Sequence, residues 1–161
     1  MKYFPNEEFD INTSLSVSQT IDLLQQNIQP GRSRTLHLFE KPEKPYIGEW
    51  SGQSFTISRI LNYRNSFNPV ITGTVRETPL GSSIHVKMQL HSFVKSFMLL
   101  WFTPLLLALL FLIYDQISHW MFSPGTLFIL AFLAFGYGIL MIGFKIESSR
   151  SYNFLENLFK E

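Results

Sequence analysis

No cysteine occurs among the 161 residues, which excludes disulfide scaffolds, thiol chemistry and cysteine-ligated metal sites. Charge is scarce as well. Thirteen Lys and Arg against twelve Asp and Glu leave a formal net charge of +1, too little for a nucleic-acid binder or an acidic solvating tail. Neither a G-x-S-x-G elbow nor a G-x-x-x-x-G-K-[ST] loop is present, and the serines fall at caps, turns and strand faces. No nucleophile with a base beside it is visible, so the chain is expected to be no enzyme and to carry no cofactor. The N-terminus, MKYFPNEEFDINTS, lacks the apolar run that a cleavable signal peptide needs.

What the chain does have is grease, unevenly spread. Between Ser96 and Phe144 only Asp115 is charged. Ser96–Tyr114 and Trp120–Phe144 are uncharged runs of 19 and 25 residues. As helices they reach about 28 and 37 Å at 1.5 Å per residue, against a hydrocarbon core of roughly 30 Å. Twelve Leu, Ile or Phe in each favour insertion by about 4 to 7 kcal/mol. The expectation is a transmembrane hairpin over residues 92–146, with spans at about 96–114 and 120–144 and a short turn at Asp115–His119. Pro104 is expected to free a carbonyl inside the first span, not to end it.

Lys87 and Lys95 flank the first span, Lys145 and Arg150 the second, and the turn has neither Lys nor Arg. The positive-inside rule then puts both termini in the cytoplasm. Ala134 and Gly138 stand four apart, with Gly143 beyond them, as a candidate helix-packing face. Its partner is either the first span or a second copy of the chain.

Residues 1–91 read as a cytoplasmic α+β domain. Ser16-Val17-Ser18-Gln19 has the form of a capping box, and Val17, Ile21, Leu24 and Ile28 then recur at helical spacing before Pro30-Gly31. Ser83–His91 alternates strictly, with Ile84, Val86, Met88 and Leu90 on one face. Val70–Arg76, Ser54–Leu61, Tyr46–Trp50 and Thr35–Phe39 complete an expected antiparallel meander of four to five strands under one helix. Residues 147–161 are expected to form a separate, short amphipathic helix that packs on this domain. Because the last strand leads straight into the first span, the loop Asn62–Phe67 should face the membrane. Arg59, Tyr63, Arg64, Lys87, Lys95 and Lys145 are the candidate collar for anionic headgroups there, unless the loop residues simply bond to one another. Of the histidines, His85 and His91 lie too far apart on one strand to share a metal, and His37 and His119 add no ligand spacing, so no metal site is expected.

The runs Phe55-x-Ile57-x-Arg59, Tyr63-Arg64-Asn65-Ser66-Phe67-x-Pro69-Val70-Ile71-x-Gly73, Val86-x-Met88-x-Leu90-His91-x-Phe93-Val94 and Phe154-Leu155-x-x-Leu158-Phe159 resemble those of an uncharacterised family of small bacterial two-span membrane proteins. That resemblance implies the bacterial inner membrane and no activity or site. The function expected is an adaptor, sensor or accessory subunit whose sheet domain binds a protein or lipid headgroups at the inner leaflet. The alternative is an oligomeric pore-forming subunit gated by that domain. Neither nucleic acid nor a small-molecule substrate is expected as a partner.

Overall fold

The structure, a computed structural model, describes residues 5–31, 44–120 and 122–160. An N-terminal six-stranded sheet is followed by two long apolar helices. In chain order the elements are β1 (Asn6–Thr13), α1 (Val17–Asn27), β2 (Ile28–Pro30), β3 (Tyr46–Ser51), β4 (Ser54–Arg59), β5 (Pro69–Thr78), β6 (Gly81–Leu90), α2 (Ser92–His119) and α3 (Pro124–Phe159). The sheet order is β1-β6-β5-β4-β3-β2. β3 to β6 form the expected antiparallel meander, but six strands replace four to five. β1 adds to the free edge of β6 in antiparallel register, Phe9 opposite Val86, and β2 adds to β3 in parallel. The expected strand Thr35–Phe39 lies outside the described residues.

Alternation sets the two faces. Ile84, Val86 and Met88 of β6, Ile71 and Val75 of β5, and Phe55 and Ile57 of β4 are buried on one side. His85, Lys87 and Gln89 project from the other. Gly73 on β5 has no side chain because the Phe55 ring occupies that space, with a ring carbon 2.1 Å from where a Cβ would stand. Gly52 turns the chain between β3 and β4 at φ 59°, in the left-handed region that glycine enters at little cost. α1 starts at the expected capping box: Gln19 N–H donates to Ser16 Oγ at 3.3 Å, and Ser16 N–H to Gln19 Oε1 at 2.9 Å. Leu24 then enters the core, and Thr20 pairs its buried hydroxyl with that of Ser82 at 2.8 Å.

The second cover of the apolar face is the end of α3. The expectation of a separate helix over residues 147–161 is corrected: α3 is one helix of 36 residues, about 54 Å long. No proline or glycine follows Gly143 to stop it. Its first 21 residues, up to Phe144, carry no charge and are mostly apolar. Beyond Phe144, the residues buried on the sheet are Glu147, Ser148, Ser151, Leu155 and Phe159, a helical stripe. The C-terminal turns of α3 complete the core of the sheet.

α2 and α3 are both long and apolar enough to cross a membrane, and only 6% and 17% of their most apolar stretches are buried by the rest of the chain. α2 begins directly after β6, with His91 Nδ1 accepting from Phe93 N–H at 3.2 Å. It runs on through Pro104 without breaking. The expected turn at Asp115–His119 is helical instead. His119 lies 3.1 Å from the Asp115 carboxylate one turn back, and Gln116 donates to the Thr126 hydroxyl across the hairpin. The reversal falls between His119, where α2 ends, and Pro124, where α3 begins, with Trp120 left-handed at φ 54°. Gly136 receives Trp101, whose ring lies 2.8 Å from a would-be Cβ, whereas Gly138 has nothing within 4 Å. Gly136→Leu is expected to separate α2 from α3 and Gly138→Leu to leave them paired, as read by cross-linking between single cysteines placed on the facing turns.

Candidate functional site

The strand register fixes which end of the sheet meets the hairpin. Pro69 pairs with Leu90, and α2 starts two residues later, so the loop 60–68, the end of β4 and the start of β3 share the hairpin's side. At the same level α3 leaves its apolar stretch at Phe144. The register puts the loop Asn62–Phe67 at the hairpin's end of the sheet, and Tyr63, Asn65 and Phe67 turn onto α3. Gly143 makes room for Phe67, whose ring carbon sits 2.8 Å from a would-be Cβ, and Asn65 Nδ2 donates to the Gly143 carbonyl at 3.1 Å. Gly143 therefore seats the loop.

One turn further along α3 stands Glu147, with no exposure at all. Arg59 Nη1 from the end of β4 donates to Oε2 at 2.5 Å. The Tyr63 hydroxyl from the loop donates to Oε1, and Arg150 Nη1 donates to the same oxygen at 3.1 Å. Arg150 also donates to the Tyr63 oxygen at 3.0 Å, closing a ring of contacts. Beside it the buried Tyr46 hydroxyl donates to Ser151 Oγ at 3.1 Å, and its ring stacks on Phe154 at 4.3 Å. Tyr46 and Arg59 are cross-strand partners, which is why both reach the same turn of α3.

Burial by itself would raise the Glu147 carboxyl. The hydrogen bonds from Tyr63 and Arg59 and the charges of Arg59 and Arg150 overcome it, and the group titrates below an ordinary glutamate. Burial raises the Tyr46 phenol, with the Ser151 hydrogen bond opposing it. A carboxylate held ionised and met by three donors is a fixed anchor, poorly suited to accept a proton from a substrate.

The candidate collar is thus divided. Arg59 and Tyr63 spend their polar groups on Glu147, while Lys145 reaches Glu7 of β1. Lys95 donates to Gln89 Oε1 at 2.7 Å. Arg64 is exposed on the loop, and Lys87 lies on the polar sheet face opposite Thr72. Lys145, Lys95 and Arg64 stay near the level where the helices leave the sheet. His85 stands on the polar face between Asp10 at 2.8 Å and Glu8 at 3.0 Å. His37 lies outside the described residues, and among those described no group of three His, Cys, Asp or Glu is arranged to hold a metal ion.

No family model and no curated protein matches the chain. Among solved structures it is similar to the X-ray crystal structure of protein MLL2253 from Mesorhizobium loti, a structural genomics target. That likeness covers 90% of this chain and 97% of that one, at 12% identity and a TM-score of 0.33.

Two predictions follow from the Glu147 contacts. Arg59→Met strips a buried carboxylate of its closest cation and is expected to cost about 3 kcal/mol in a denaturant titration of the detergent-solubilised chain. Arg150→Met, at a half-exposed guanidinium, should cost under about 1 kcal/mol. Because Glu147 titrates below its unfolded value, its contribution to stability is complete above pH 4.5 and is lost as the pH falls below that. Melting temperatures measured from pH 7 to pH 3 should drop below pH 4.5 in the wild type, and this portion of the drop should be absent in Glu147→Gln.

Proposed function

We propose that this is an integral protein of the bacterial inner membrane, with α2 and α3 crossing the bilayer as a hairpin and both termini cytoplasmic. It acts as a non-enzymatic adaptor, sensor or accessory subunit, presenting its sheet at the inner leaflet to a protein or to lipid headgroups. One observation carries the reading: α3 is a single helix, largely uncovered and apolar up to Phe144 and built into a sheet core beyond it. A helix bare over that length needs lipid around it, since soluble proteins seldom leave so much contiguous apolar surface exposed. The Glu147 contacts then hold the sheet in one attitude to the bilayer.

Several features support the rest. Lys95, Lys145 and Arg150 stand at the sheet end of the helices, whereas the reversal at 120–123 carries no cation. The resemblance to small bacterial two-span proteins supports the inner membrane. The donors around Glu147 are consumed in holding α3, which favours a presenting role over catalysis.

The absence of native cysteine makes the test clean. In intact cells a membrane-impermeant maleimide should label His119→Cys at the reversal. Thr78→Cys, at the far end of the sheet, should be labelled only after permeabilisation. The chain should also float with vesicles after alkaline extraction. Recovery in the alkaline supernatant, or labelling of Thr78→Cys in intact cells, would reject the topology.

A further inference from the structure

β1 and α3 do not close against each other at the hairpin end. A cleft of about 390 Å³ opens between them, lined by Glu7, Glu8, Phe9, Lys145, Ser149, Tyr152 and Asn153, with the Glu8 carboxylate turned to His85 at 3.0 Å. We propose that this cleft binds the headgroup of an aminophospholipid, a phosphoethanolamine group with one anionic and one ammonium end. The proposal rests on the membrane reading above and goes beyond it by naming the ligand class.

Position selects a lipid. Lys145 directly follows Phe144, where the apolar stretch of α3 ends, and Glu7 pairs with Met88, four residues before α2 begins. The cleft therefore opens at headgroup depth.

Chemistry selects the class. Lys145, Ser149 and Asn153 recur every four residues and form one polar stripe along α3, an ammonium, a hydroxyl and an amide that suit a phosphodiester. Glu7 faces them from β1. Phe9 and Tyr152, packed edge to face at 4.8 Å, close the end of the cleft that lies away from the hairpin. Lys145 and Glu7 now pair with each other, but the lysine side chain is 65% exposed, and an exposed pair contributes little and exchanges readily. A purely anionic headgroup drawing Lys145 away would leave the half-buried Glu7 without a counter-charge. A zwitterion with N–H donors supplies both charges, and a choline group offers Glu7 no donor.

The test uses the full chain in nanodiscs of equal parts phosphatidylethanolamine, phosphatidylcholine and phosphatidylglycerol, followed by native mass spectrometry of the lipid kept on release. Retention of phosphatidylethanolamine several-fold above the other two is expected in the wild type and in Arg76→Gln, which is exposed towards the far end of β5, outside the cleft. It should fall to parity in Glu7→Gln and in Lys145→Gln, with melting temperatures of both variants within a few degrees of wild type. Equal retention of all three lipids by the wild type, or a preference for phosphatidylglycerol, would overturn the proposal. So would saturable micromolar binding of free phosphoethanolamine to the lipid-free chain in calorimetry, which would assign the cleft to a soluble ligand. A chain that fails to float with vesicles overturns this proposal together with the membrane reading, whereas one that floats without a lipid preference overturns this proposal alone.

Discussion

Placing a carboxylate where water cannot reach it costs several kcal/mol even after the surroundings relax, and the attraction of a partner repays that only with good geometry and satisfied lone pairs. Glu147 meets the requirement with Arg59, Tyr63 and Arg150, contributed by a strand end, a loop and the next turn of its own helix. None of the three suffices alone, so β4, the loop 60–68 and α3 must be in place together. That mutual requirement ties the sheet to the helical hairpin. The neighbouring contacts share it, since Asn65, Phe67 and Gly143 lie one turn away and Tyr46 with Ser151 one turn further on.

From that joint outward the chain meets two different demands. Below it, Ser151, Leu155 and Phe159 fill the space over the sheet that α1 leaves open. Burying apolar area drives this contact at roughly 25 cal/mol per Å². Above it, the same helix exposes Phe128, Phe135 and Ile142, and water would penalise that surface by the same physics. A single continuous helix can satisfy both only if its surroundings change along its length. The polar ring at Glu147 stands where that change falls, late enough for donors from the sheet and the loop 60–68 to reach it.

Period explains how much could be read from the residues. The alternation of Ile84 to Leu90 identified β6 and its buried face, the capping box located α1, and the short connection from His91 gave the loop 60–68 its correct end of the sheet. β1 was not legible, because Glu7, Glu8, Asp10 and Asn12 outnumber Phe9 and Ile11, and an edge strand with one apolar pair reads as a polar tail. β2 is three residues long and ends in proline, so it carries no pattern. The continuity of α3 was hidden by composition: the switch from uniform grease to a narrow stripe at Phe144 resembles a boundary, although no breaker marks one. Glu147 was missed because its partners lie 88 and 84 residues away in sequence. The available signal was modest, a lone acid just past a long apolar run with Arg150 three residues on.

The placement of that acid also answers a question the hairpin cannot settle for itself. Helices in lipid gain nothing hydrophobic by pairing, so their association rests on close packing and a few polar contacts. Among the described residues those include Trp101 against Gly136 and Phe132, and Gln116 with Thr126 near the far end. Such contacts hold α2 beside α3 but do not set how either is rotated or how deep it sits. The contacts of Glu147 do, because Arg59 and Tyr63 are anchored in the sheet and admit one rotation and one height of α3. β6 sets the entry of α2 through a single residue, His91. Orientation is thus imposed on the apolar pair from its polar end, and any tilt forced on α3 must either bend the helix or pull on a carboxylate that cannot be left unpaired.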